Sequence, residues 1–90
     1  MGKKKVAIIG VTGSVGQEFV QSLDNHPWFE VTQIAASERS AGKSYLDAIR
    51  NEGGIIMWDV GGEIPEYIKS MKVKTVDELD TSQLDLVFSA

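Results

Sequence analysis

The chain has 90 residues, 42% hydrophobic and 24% charged, with two prolines and a formal net charge of −4. That balance belongs to a soluble globular domain rather than a disordered chain, although so short a chain buries only about 60% of the surface its unfolded form exposes. An acidic chain whose only basic run is Lys3-Lys4-Lys5 lacks the spread basic face of a nucleic-acid binder.

There are no cysteines, so these residues hold no disulfide frame, thiolate metal site or thiol nucleophile. Met1-Gly2 opens a myristoylation pattern that Val6 breaks, where Ser or Thr is required. The apolar stretch Val6 to Ile9 is too short for a signal h-region or a membrane span, and a cytoplasmic location is the default expectation. Val6-Ala7-Ile8-Ile9 is instead a continuous apolar run stopped by Gly10, the pattern of a parallel strand covered on both faces. From Ser14 the period becomes helical. Val15, Phe19, Val20 and Leu23 fall on one face, Gln17, Glu18 and Gln21 on the other, and Asp24, Asn25 and Pro27 end the helix.

A second strand is expected near Phe29 to Ala36, and a short helix from Tyr45 to Arg50. Ile55-Ile56-Met57-Trp58, bracketed by Gly53-Gly54 and Gly61-Gly62, reads equally as a strand or as an excursion packed on the sheet. Met71 to Val76 and Leu84 to Phe88 are the last expected strands. Alternating strands and helices predict an α/β fold, a Rossmann-like parallel sheet with flanking helices and right-handed crossovers. Ligands of such sheets bind beyond the carboxyl ends of the strands. Ser89-Ala90 ends the chain on that edge. The expectation is therefore that residues 1–90 are the amino-terminal portion of an incomplete dinucleotide-binding domain, with catalytic and dimerisation parts elsewhere.

Two segments carry chemistry. The first, Gly10-Val11-Thr12-Gly13-Ser14-Val15-Gly16, joins the first strand to the first helix as G-x-x-G-x-x-G, with Thr12 where the usual fingerprint has Gly. Gly10 permits the tight exit, Gly13 the approach of a pyrophosphate to the backbone, and Gly16 close helix–sheet packing. Free N–H groups and the positive dipole end favour an anion, and Thr12 and Ser14 add hydroxyls. The alternative is a turn whose glycines serve only backbone geometry.

The second is Ile34 to Ser44, "IAASERSAGKS". Its tail resembles the end of a Walker A loop, but the first glycine of that motif falls on Ser37, and the place after the first strand is already taken. Beside the adenosine ribose, Ser37, Arg39 and Ser40 instead suit a 2′-phosphate: a guanidinium pairs bidentately and two hydroxyls donate. That set favours NADP over NAD. Glu38 is expected to face solvent, and the alternative for Arg39 is an exposed loop charge.

"GVTGSVGQEFVQSLDNHPWFEV", "AASERSAGKSY", "IPE" and "DLVFSA" resemble, in order, the amino-terminal part of aspartate-semialdehyde dehydrogenase of the archaeal and fungal type. The resemblance implies an NADP-dependent oxidoreductase that reductively dephosphorylates L-4-aspartyl phosphate to L-aspartate 4-semialdehyde, toward lysine, threonine and methionine. It implies a homodimer or homotetramer. It also implies a pyrophosphate site at Thr12, Gly13, Ser14 and Val15, a 2′-phosphate site at Ser37, Arg39 and Ser40, and a nicotinamide side at Ser89 and Ala90. The family's cysteine nucleophile and histidine base lie downstream. His26, at the end of the first helix, is read as a structural turn residue. A non-catalytic nucleotide-binding module, malonyl-CoA reductase and N-acetyl-glutamyl-phosphate reductase are the alternatives.

Overall fold

Lys4–Ile9 forms the first strand (β1) of a computed structural model that describes residues 2–90. Val6, Ala7 and Ile8 are fully buried, as a strand covered on both faces requires. Phe29–Ala35 (β2), Val73–Lys74 (β3) and Leu86–Ser89 (β4) complete a four-stranded sheet in the order β3-β2-β1-β4. All three pairings are parallel. The chain therefore steps outward from β1 through β2 to β3, then returns to the other side of β1. In open α/β sheets such a reversal of strand order marks where ligands bind, beyond the carboxyl ends of the strands.

The expected strands at Met71 to Val76 and Leu84 to Phe88 are shorter or shifted. β3 keeps only two ladder residues because it lies at the sheet edge, with no second partner. Lys5 N–H donates to the Asp85 carboxylate and Asp85 N–H to Lys5 O, an exchange that positions the start of β4. Between β1 and β2 the register slips at Val6/Ala7, leaving Thr32 as the extra residue of a bulge. The Thr32 hydroxyl is buried there without a partner among the described residues.

Ser14–Ser22 is the first helix (α1), and here the sequence-based face needs correction. Gln17 is 1% exposed and Val15 is 59% exposed, the reverse of the amphipathic expectation. Phe19 does face inward, stacking on Phe88 at 5.2 Å. Asn25 takes a positive φ of 54° after the helix, and His26 Nδ1 accepts from Trp28 N–H at 3.1 Å, a turn role.

Tyr45–Ala48 (α2) starts from Ser44, whose hydroxyl accepts from Asp47 N–H. Glu66–Lys69 (α3) was not anticipated. Its four residues are too few for a period to register, yet Tyr67 clamps it to α1 by donating to Val20 O at 2.8 Å. Residues 53–62 form neither helix nor strand. A single antiparallel bridge, Arg50 to Ile56, closes them into a hairpin-like excursion. Among the described residues no helix is long and apolar enough to cross a membrane.

β4 is an open edge, and Leu86 and Val87 are more than two-fifths exposed. Unpaired strand edges with apolar side chains template pairing with another chain. The chain is expected to self-associate. Sedimentation velocity over a hundredfold concentration range should show a rising mean mass, and a monomer throughout would contradict it.

Candidate functional site

The exit from β1 is built by Gly10, at φ +75°, a conformation that L side chains rarely adopt. Its N–H and that of Val11 both donate to Ala35 O, so the end of β2 holds the loop. Gly13 is the N-cap of α1 and supplies no side-chain hydrogen bond, and no acidic residue occupies the first turn. Among the described residues the N–H groups of Ser14 and Val15 have no acceptor, leaving the positive end of the helix open to an anion.

The two later glycines differ in kind. A Cβ on Gly16 would lie 2.7 Å from Val11 Cα and 2.8 Å from its carbonyl carbon, and closer still to Gly10 O, so the fold itself demands glycine. At Gly13, φ is −78° and a Cβ would meet only Gly10 O, at 3.8 Å. Packing does not require that second glycine; glycine is a favoured N-cap residue, and its bare backbone leaves room for a ligand to approach.

A cleft of about 520 Å³ lies beside this loop. Thr12, Ser37, Arg39, Ser40 and Lys43 line it together with Ala48 to Glu52 and Met57. The expected residues Thr12, Ser37, Arg39 and Ser40 thus meet in one place. Gly10, Gly13, Ser14, Val15 and Gly16 lie in the adjoining loop and helix start rather than in the cleft wall. Ser89 pairs with Ile9, and Ala90 N–H donates to Ile9 O beside Gly10, on the other flank of the loop. Glu38 is exposed and is not part of the cleft wall.

Arg39, Lys43 and Arg50 give the cleft three cations against one carboxylate, Glu52, in a chain that is acidic as a whole. Arg50 is engaged with Asp47 and Gly54 O, whereas Arg39 forms no ion pair among the described residues. A concentration of positive charge with two hydroxyls suits a phosphate dianion. The Walker-like tail has another use. Gly42 turns at φ +88°, Lys43 O accepts from Val73 N–H, and Ser44 caps α2. No cluster of potential metal ligands occurs among the described residues.

Three contributors escaped sequence reasoning. In the sequence Lys43 stands out only as part of a motif that fails. The Arg50-to-Met57 excursion supplies a cleft wall from a segment with no periodicity. Gln17 donates through Nε2 to Thr12 O at 3.0 Å and Met57 O at 2.8 Å, while its Oε1 accepts from Asp59 N–H at 2.8 Å. It joins the loop to the excursion. Its place directly after "TGSVG" was the available signal.

Residues 5–90 match the family described as "Semialdehyde dehydrogenase, NAD binding domain". The chain belongs to this family. An aspartate-semialdehyde dehydrogenase from Methanothermobacter thermautotrophicus is 44% identical over 85 residues, 94% of this chain and 22% of the relative. One from Schizosaccharomyces pombe is 42% identical over 89 residues, covering 99% and 23%. The crystal structure of the Candida albicans enzyme with NADP superposes with a TM-score of 0.83 at 38% identity, covering 99% of this chain and 23% of that one. The chain thus spans between a fifth and a quarter of the length of these semialdehyde dehydrogenases. The four-stranded parallel arrangement is that of their cofactor-binding domain.

Proposed function

We propose that these 90 residues are the amino-terminal portion of the NADP-binding domain of an aspartate-semialdehyde dehydrogenase. The observation that carries the reading is the single cleft that unites Thr12 with Ser37, Arg39, Ser40 and Lys43. A dinucleotide lying across the carboxyl edge would set its pyrophosphate on the open start of α1 and its 2′-phosphate among those cations. Ser89 and Ala90, on the far flank of Gly10, would then border the nicotinamide side.

When bound, NADPH supplies the hydride that reduces the acyl group of L-4-aspartyl phosphate. This chain's own contribution is binding and orientation. Ser14 and Val15 N–H groups hold the diphosphate, Arg39 and Lys43 select the phosphorylated ribose, and Gly13 keeps side-chain atoms away from the approach. The chain has no thiol to form a covalent acyl intermediate.

Calorimetric titration tests the reading. NADPH is expected to bind at least about tenfold more tightly than NADH, because a charge-assisted phosphate contact is worth about 1.5–3 kcal/mol. Equal affinities would overturn it. The second reading, a binding module without chemistry of its own, is favoured for the isolated chain by the missing thiol. Incubation with NADP, aspartate semialdehyde and phosphate should give no NADPH, and turnover would contradict that reading.

A further inference from the structure

Every carbonyl of the glycine loop is tied back into the protein. Gly10 O accepts from Gly13 N–H at 3.3 Å and Gly13 O from Gln17 N–H at 2.8 Å. The two between them are held by side chains: Val11 O by the Tyr45 hydroxyl at 3.1 Å, and Thr12 O by Gln17 Nε2 at 3.0 Å. Tyr45 and Gln17 are 0% and 1% exposed. Meanwhile the N–H groups of Thr12, Ser14 and Val15 have no acceptor among the described residues.

We propose that Tyr45 and Gln17 are positioning residues that set the polarity of this loop, holding the Val11 and Thr12 carbonyls inward so that it offers a diphosphate only N–H donors. The Thr12–Gly13 peptide needs such a restraint. Peptide planes turn by paired changes of ψ and the following φ, and a glycine accepts the φ that a reversed plane demands. A reversed Thr12 carbonyl would set a partial negative charge against the anion that consecutive N–H groups otherwise attract.

Gln17 is itself fixed in one sense. Its amide must present NH₂ to the carbonyls of Thr12 and Met57 and oxygen to Asp59 N–H, and the flipped amide satisfies none of these. The excursion at Met57 and Asp59 therefore acts on the loop through one side chain. Tyr45 reaches the loop from the segment that follows the 2′-phosphate cluster. Burial pushes its hydroxyl pKa far up, so it remains a donor at neutral pH.

That the bound group is the cofactor's pyrophosphate rests on the function proposed above; the orientation of the loop does not. The test compares wild type, Gln17→Met and Tyr45→Phe with three probes: inorganic pyrophosphate, NADPH and adenosine 2′-monophosphate. Each substitution is expected to weaken pyrophosphate and NADPH about tenfold, the scale of one lost hydrogen bond, and to leave the adenosine monophosphate within about twofold. In the unliganded Gln17→Met protein, the Gly13 amide resonance should move. Proportional weakening of all three probes would mean a merely structural role and would overturn the proposal. So would unchanged pyrophosphate binding, or a wild type that binds no pyrophosphate. If wild type binds pyrophosphate but not NADPH, and the variants lose the former, the proposal stands and the cofactor reading fails. Should Gln17→Met not fold, Tyr45→Phe carries the same comparison.

Discussion

Arg39→Ala is expected to raise the Kd for NADPH about 10- to 150-fold, the equivalent of about 1.5–3 kcal/mol, and to leave the Kd for NADH nearly unchanged. Arg39 is exposed at the cleft wall and forms no ion pair among the described residues, so its guanidinium needs no prior contact broken to meet a ligand. Its planar fork matches a phosphate bidentately, which a lysine at the same position would not reproduce. Two features hold the effect toward the lower end of the range. Lys43 remains in the same cleft, and solvent screens a charge this open. Titration of both coenzymes at fixed ionic strength would measure the change. If the variant loses NADH binding as fully as NADPH binding, Arg39 supports the loop rather than the 2′-phosphate.

Gly16→Ala is expected to destabilise the fold by about 3 kcal/mol or more, at the top of the range for overpacked sites. The added methyl would meet backbone atoms of Gly10 and Val11, and no rotamer change relieves a collision with main chain. Helix propensity acts the other way, since alanine is favoured over glycine by about 1 kcal/mol inside a helix, but that gain is the smaller quantity. α1 must instead move off the loop, which strains the Gln17 N–H to Gly13 O bond that starts it. A 90-residue domain has only about 5–13 kcal/mol of total stability, so the loss is a large fraction. Gly13→Ala is the control, because its Cβ would meet only Gly10 O at an ordinary contact distance of 3.8 Å, and the loss of the N-cap preference for glycine should cost no more than about 1 kcal/mol. Urea melts of the two variants decide the matter. Coincident midpoints would show that α1 does not rest on the loop as closely as described.

Much of the proposed site was legible because its residues are neighbours in the chain. The exit after Ile9, the uncapped start of α1 and the Ser37-Arg39-Ser40 turn each depend on residues adjacent in the chain. The cleft that unites them with Lys43 and Met57 was not legible, because it exists only once β1 and β2 lie side by side and the excursion folds over them. α3 and the brief β3 were missed or overdrawn for a related reason. Four residues carry no measurable period, and an edge strand ends where its one neighbour stops pairing.

By itself, then, the order of residues determined an α/β sheet with a glycine loop after its first strand and a cationic, hydroxyl-bearing turn after its second. Tertiary structure alone decided which polar groups are buried and what they hold. Gln17 reads as a surface residue by periodicity, yet it is buried because its partners at Met57 and Asp59 lie 40 and 42 residues away. Tyr45 reads only as the first residue of a short helix, yet its hydroxyl donates to Val11 O across 34 residues. Hydrophobic periodicity reports the average environment of a helix face or strand. A buried hydrogen bond depends on one donor meeting one acceptor, and only the folded chain brings them within reach.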